Sequence, residues 1–401
     1  MTAVTSVVPK RGRTAELVLL LVAVGIVVLA YVNVELATHG SVPADLLTHG
    51  GILLAIALAF HLVLRWKASY ADPLILPIVT LLNGLGVVMI HRLDIAAGRE
   101  VISGLALKQL WFSALGVAIA IGVLVLLRDH RLLRRYTYTA GLAAIGLLLL
   151  PLLPVIGREI NGSRIWIGIG PFTFQPAELT KIVLAIFFAG YLVQTRDVLS
   201  IAGRKVLGIT FPRGRDLGPI LVAWVMSVGV LVLQTDLGTS LLLFGLFVAM
   251  LYIATERVSW IVLGLTLAAG GAYVAYQLFG HLQQRVALWL DPFDPGQSDQ
   301  VAKGLMGMAA GGMMGTGLGR GRPDINYLPF SDMIFPALGE ELGLVGLFAI
   351  LCLYALLVER GPRLVDDTVE QRRVELLVGR DGVGQGGDVR SGHPRPLLPG
   401  G

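Results

Sequence analysis

The chain has 401 residues, of which 55% are hydrophobic and only 15% charged, and its mean hydropathy is +0.75. Such a composition cannot cover a soluble surface, so it excludes a set of water-soluble domains and implies a multi-pass membrane protein. The 32 Lys and Arg against 27 Asp and Glu leave a net charge of +5, and the cations fall in short blocks between apolar runs. The basic balance therefore reflects membrane topology, and no nucleic acid is expected as a partner. The single cysteine, Cys352, excludes an internal disulfide, cysteine-ligated zinc and iron–sulfur clusters; in its apolar run it reads as a small buried side chain.

A helix needs about 20 apolar residues to cross the hydrocarbon core. Ten stretches qualify in chain order: 15–36, 47–66, 73–91, 106–127, 137–156, 176–193, 217–234, 237–254, 259–280 and 341–358. The predicted fold is all-α and polytopic, with about ten transmembrane helices. The first stretch follows a basic segment, 1–14, as a signal peptide would, but it is too long and lacks a small-x-small cleavage site, so it is expected to be retained.

With the N-terminus in the cytoplasm, fifteen cations fall inside: Lys10, Arg11, Arg13, Arg65, Lys67, Arg128, Arg131, Arg134, Arg135, Arg196, Arg204, Lys205, Arg213, Arg215 and Arg257. Only Arg92, Arg99, Arg158 and Arg164 fall in the short outside segments. This asymmetry predicts that both termini are cytoplasmic.

One outside segment, 281–340, is long in a chain whose other connections are short. Its Gly and Met content and shortage of Ser, Glu and Lys argue for a structured extracellular loop, part of which re-enters the membrane against the bundle. From 359 the apolar character ends, and 359–401 reads as a disordered cytoplasmic tail. No tandem repeat is present.

Several polar residues stand where lipid makes them costly. Glu178 and Lys181, three apart at the start of the span opened by Pro176, share a helix face and are expected to pair; a structural pair and a direct substrate contact both fit. Asp236, in Gln234-Thr-Asp-Leu-Gly-Thr239, suits either a helix cap or a functional carboxylate. Asp332, in Ser331-Asp-Met-Ile-Phe335, precedes the last span within the long loop, where it suits a general base for a lipid-linked substrate or a helix-entry carboxylate. Trp166 suits an interfacial anchor. Gly315-Thr-Gly-Leu-Gly-Arg-Gly321 has no strand before it and no ribose-binding acid after it, so no dinucleotide is expected. The seven histidines show no metal-ligand spacing.

Taken together, these residues resemble a family. Gly162-Ser-Arg-Ile-Trp-Ile-Gly-Ile-Gly-Pro-Phe-Thr-Phe-Gln-Pro-Ala-Glu-Leu-Thr-Lys-Ile182, Gln234-Thr-Asp-Leu-Gly-Thr239, Arg285 with Asp291-Pro292, Gly311-Gly312, Gly315-Thr-Gly-Leu-Gly319 and Ser331-Asp-Met-Ile-Phe-Pro-Ala-Leu-Gly-Glu-Glu-Leu-Gly343 are similar, in order over about 73–360, to the SEDS family of RodA, FtsW and SpoVE. The resemblance divides the chain into two extra N-terminal spans (15–66, as in actinobacterial RodA-like members), a membrane core (73–280), the extracellular loop (281–340), the last span (341–358) and the tail (359–401).

The resemblance implies a peptidoglycan glycosyltransferase of the bacterial cytoplasmic membrane that polymerises lipid II in cell elongation or division, with a class B penicillin-binding protein as partner. It implies Asp332 as the catalytic base and Trp166, Glu178, Lys181 and Asp236 as substrate-site residues. Arg164, Arg285 and Lys181 are candidate cations for the departing pyrophosphate, with a divalent cation, Mg or Mn, as a possible supplement. Two other classes stay open: a lipid II flippase, which would spread polar groups through both halves of the bilayer, and a non-catalytic membrane scaffold for the penicillin-binding protein. After Leu357-Val-Glu-Arg360 the family's last two helices and their Pro-x-x-Ser-Tyr-Gly-Gly-Ser motif have no counterpart, so a frameshift or truncated reading frame is expected there.

Overall fold

The computed structural model describes residues 12–383 apart from 44, 100–103, 128, 161–162, 171, 294–299, 327 and most of 200–235. In chain order the helices are α1 (Arg13–Thr38), α2 (Leu46–Lys67), α3 (Ile75–Ala96), α4 (Leu105–Leu126), α5 (Thr137–Leu149), α6 (Pro176–Leu199), α7 (Leu237–Thr255), α8 (Val258–Leu278), α9 (Gly280–Leu290), α10 (Gln300–Gly311) and α11 (Ile334–Val383). Among the described residues nine helical stretches are long and apolar enough to cross a membrane, and they coincide with nine of the ten expected spans. The tenth, 217–234, lies largely outside the described residues. Helices follow from the apolar runs because a backbone in hydrocarbon must satisfy its own hydrogen bonds.

The chain divides into two compact units, residues 1–126 with 292–401, and residues 127–291. In the first, both ends of α3 are pinned by charge. Beside its start, Arg13 of α1 donates to the carbonyls of Ser69, at 3.2 Å, and Ala71, and pairs with Glu16, whose other oxygen lies 2.7 Å from His61 Nδ1. Arg360 of α11 donates to Asp72 there at 3.0 Å. At the other end, Glu35 of α1 lies 2.7 Å from His91 Nε2, and Arg92 donates through Nε to Glu341 of α11 at 3.1 Å. Thus α1 runs parallel to α3 and α11 antiparallel. Between the pinned ends the contacts are apolar, Val27, Ala30 and Val34 lying with Val87 and Val88, and Met89 and Leu93 with Ala337, Leu338 and Leu347.

Arg13, assigned from the sequence to the basic segment 1–14, is instead the buried first residue of α1, because Glu16 and two carbonyls supply the partners a buried guanidinium needs. The last helix also departs from expectation. It starts at Ile334 and continues to Val383, so the segment expected as a disordered tail from 359 is helical that far; Leu, Glu, Gln and Arg over 369–377 favour a helix. Residues 384–401 lie outside the described residues. Cys352 is exposed on α11 rather than buried, on a surface that lipid covers in a membrane-crossing helix.

Within α11, Gly343 (φ 68°, ψ −174°) breaks the helix, and the glycine-rich loop after α10 fills the break. Thr316 and Gly317 N–H donate to the Glu340 and Glu341 carbonyls at 3.0 and 3.1 Å, while Leu344 and Val345 N–H donate to the Gly312 and Met313 carbonyls at 2.9 and 3.1 Å. A side chain at Gly343 would be strained by its positive φ and would run into the loop backbone, and one at Gly315 (φ 81°) would run into the Glu341 carbonyl. The stretch before this loop packs on α11: Gly304 faces Met333 and Pro336, and Gly311 lies against the Gly339 carbonyl.

In the second unit, α5, α6, α7 and α8 enclose Ala144, Leu148, Phe188, Leu192, Phe247 and Trp260. Between α5 and α6 the predominantly helical chain carries one small sheet: β1 (Gly157–Ile160), β2 (Ser163–Ile169) and β3 (Phe172–Phe174) pair antiparallel in that order. Arg-Ile-Trp-Ile alternation favours a strand, and the sequence Asn161-Gly162 is a two-residue hairpin signal.

Gly315→Ala is expected to lower the thermal unfolding midpoint of the detergent-purified protein, since a positive φ alone costs a side chain about 1–2 kcal/mol. Gly270→Ala, in α8 with open space around it, is expected to leave the midpoint unchanged or slightly raised. Equal midpoints for the two variants would remove the glycine requirement at the break.

Candidate active site

Asp332 stands at the apex of a tight turn that leads into α11. The Ser331 and Met333 N–H groups both donate to the Leu328 carbonyl, at 3.1 and 3.2 Å, and Leu328 itself takes a left-handed conformation (φ 46°). A leucine at positive φ is rare and strained, so the surrounding hydrogen bonds hold the turn in shape. The Asp332 side chain is exposed and has no hydrogen-bond or ion-pair partner among the described residues. Both carboxylate oxygens are available to accept a proton from a bound molecule.

Behind this turn lies a buried polar assembly. The Glu341 side chain is fully enclosed and accepts from Arg92 Nε at 3.1 Å and from the Gly319 N–H at 2.9 Å. Arg92 donates through Nη2 to the Gly321 carbonyl at 2.8 Å. Glu340 accepts from the Arg322 N–H at 2.6 Å. A carboxylate out of water needs such donors. The sequence offered Glu340 and Glu341 only within a motif; their partner Arg92 lies 249 residues from Glu341, and no local spacing reveals it.

In the second unit, Trp166 is half-buried on β2, and Arg164, two residues before it, points to the same face. Directly across the hairpin, Arg158 pairs with Trp166, so the same face gains a second guanidinium. In the sequence Arg158 is one outside cation among others; the cross-strand register distinguishes it. Arg164 lies 3.4 Å from Glu159, both exposed, a contact worth at most about 1 kcal/mol.

Glu178 and Lys181 form the expected ion pair, 2.7 Å apart in the first turns of α6, with Lys181 the less exposed partner. Asp236 is engaged as the N-cap of α7: one oxygen accepts from the Thr239 N–H at 3.0 Å and the other from the Thr239 hydroxyl at 2.6 Å. Of the two readings of this residue, the cap is the one its contacts display. Arg285, on α9, is exposed without a partner among the described residues. Asp332 belongs to the first unit, and Trp166, Arg164, Glu178, Lys181, Asp236 and Arg285 belong to the second.

Among the described residues no three His, Cys, Asp or Glu side chains gather as a metal site would require. His39 and His91 contact Glu35, His49 contacts Asp45 and Tyr31, and His61 contacts Glu16.

Residues 73–380 match the family model for cell cycle proteins of the FtsW, RodA and SpoVE type, a match that runs past residue 360 into the continued helix. The chain is 48% identical over 366 residues to the peptidoglycan glycosyltransferase RodA of Mycobacterium tuberculosis, covering 90% of this chain and 78% of the relative. It is 45% identical over 368 residues to the same protein of Mycobacterium leprae, covering 90% and 77%. With the probable peptidoglycan glycosyltransferase FtsW of Nitrosococcus halophilus the identity is 33% over 292 residues, covering 70% of each. Among solved structures, the rod shape determining protein RodA of Thermus thermophilus is 24% identical, with 78% and 73% of the chains covered and a TM-score of 0.34. A chain of a peptidoglycan synthase complex is 26% identical, with 78% and 76% covered and a TM-score of 0.43.

Lys181→Met leaves Glu178 unpaired at the membrane end of α6 and is expected to reduce the yield of folded protein to roughly half or less. Arg164→Ala, which frees only an exposed Glu159, is expected to leave yield unchanged. Equal yields measured by size-exclusion chromatography would count against a structural role for the α6 pair.

Proposed function

The chain belongs to the FtsW, RodA and SpoVE family and is a multi-pass membrane peptidoglycan glycosyltransferase; we propose that it polymerises lipid II with Asp332 as general base. The observation that carries this reading is the contrast among its carboxylates. Glu340 and Glu341 are buried in structural hydrogen bonds, Asp236 caps a helix and Glu178 is paired, while Asp332 alone among these motif carboxylates is exposed and unpartnered in a held turn.

In the reaction, Asp332 accepts the proton of an acceptor GlcNAc hydroxyl as that oxygen bonds to C1 of the donor MurNAc. The bond from C1 to the lipid pyrophosphate breaks on the opposite face, and the configuration inverts. General-base help of this kind contributes about 10²–10⁴-fold. The leaving pyrophosphate calls for cations. Lys181 is committed to Glu178. Among the described residues no donor set makes a resident metal site.

Two contacts support an orientation. Arg13 and Arg360 both bind the 69–72 connection, which puts the start of α1 and residue 360 on one side of the bundle. We place that side in the cytoplasm on the Lys/Arg asymmetry. Asp332 then faces the outer leaflet, where lipid II headgroups and a class B penicillin-binding protein meet the chain.

Purified with such a partner, the chain is expected to polymerise lipid II, and Asp332→Asn to lower turnover by about 10²-fold or more with complex formation retained. Parental turnover in Asp332→Asn would transfer the base assignment to another carboxylate. A reporter fused after Arg215 is expected to read cytoplasmic and one within 296–300 external; the reverse pair would overturn the orientation.

A further inference from the structure

We propose that α1, which precedes the family match, is a positioning element for Asp332 and acts on it through Arg92 and the glycine loop. This rests on the assignment of Asp332 as the base. The turn bearing Asp332 is continuous with the first part of α11, 334–342, and the far end of that part is where the helix breaks. There, Thr316 and Gly317 bond the Glu340 and Glu341 carbonyls, Gly319 N–H and Arg92 bond the Glu341 carboxylate, Arg92 bonds the Gly321 carbonyl, and Arg322 N–H bonds Glu340. The loop 315–322 and the helix that carries Asp332 therefore move as one body.

That body is seated on α1. Leu318 packs into the cluster formed by Val27, Ala30, Tyr31 and Val34 of α1 with Val87 and Val88 of α3. Gly319 approaches α1 so closely that a Cβ there would fall 2.8 Å from Ala37 Cβ and 2.9 Å from the Val34 carbonyl. The same stretch of α1 grips α3 one residue before Arg92. Glu35 lies 2.7 Å from His91 Nε2, and the Tyr31 ring stacks on His91 with centroids 4.4 Å apart. One helix thus supports the loop directly and also orients the turn from which Arg92 holds Glu341. Residue 73 is where the family match begins, so this support is an addition to the matched core.

Two variants test the device from its two sides. Ala37→Leu enlarges an exposed α1 residue toward Gly319 without touching a charge. Arg92→Lys keeps the charge but not the fork that reaches both Glu341 and Gly321. Each is compared with the parental chain and with Arg99→Lys, a control at an Asp94 pair outside the assembly. Positioning predicts that kcat for lipid II falls about ten- to hundredfold with KM within about twofold, and that amide exchange accelerates at Thr316, Gly317, Leu344 and Val345. Arg99→Lys is expected to match the parent in both.

If Arg92→Lys does not fold, Arg92→Met with Glu341→Leu replaces the pair by apolar groups, an exchange that buried pairs often tolerate, and the same kcat loss is expected. Folded variants with parental kcat and parental exchange would overturn the proposal, as would a loss confined to KM. A parental chain that polymerises no lipid II would instead refute the glycosyltransferase reading, and the exchange rates in Ala37→Leu would still decide whether α1 holds the loop.

Discussion

A charge on a membrane helix must find its partner near the helix end, and in the first unit α3 is where those partners are gathered. Arg13, Glu16 and His61 meet beside its start, with Asp72 and Arg360 close by, and Glu35, His91, Arg92 and Glu341 meet at its finish. Buried pairs of this kind add little net stability, but removing one partner costs about 3–5 kcal/mol because the other is left uncompensated. Their effect is to fix register. With both ends tied, α1, α3 and α11 cannot slide along one another, although the Val, Leu and Ala contacts between them would tolerate several registers.

The broken helix depends on that fixed register. An interruption in a membrane helix frees carbonyls on one side and N–H groups on the other, each costing several kcal/mol in hydrocarbon if unmet. Here the loop 312–317 meets both sets with its own backbone, so a stretch that looks like a nucleotide-binding loop is a structural insert. The result is a short helical segment, 334–342, whose base is locked and whose tip carries Asp332 in a strained but hydrogen-bonded turn. Rigid support behind an exposed carboxylate suits a group that must meet a reacting hydroxyl in one orientation.

What could be read from the sequence depended on the range of the interaction. The spans were legible because about 20 consecutive apolar residues have few other uses. The Glu178–Lys181 pair follows from helical spacing, and the capping alternative for Asp236 from its place at a turn between two closely joined spans. The break at Gly343 was not legible, since a glycine within an apolar run usually sits in an unbroken helix, and only its contact with Gly315 distinguishes it. Arg158 was hidden because its place opposite Trp166 depends on strand register, and the small sheet was missed because short strands between long helices leave little periodic signal. The assembly around Glu341 was invisible for a different reason: its members come from α3, the loop and α11, and Arg92 looked like an ordinary interfacial cation.

The distance between Arg92 and Glu341 along the chain, 249 residues, also has a consequence for biosynthesis. At about 5–20 residues per second, roughly 12–50 s separate the emergence of the guanidinium from that of its carboxylate. Until then Arg92 has no acid to enclose it and must stay hydrated at the membrane surface. The Arg92 end of α3 therefore stays provisional until α11 arrives and draws a waiting arginine inward, long after the first helices were inserted.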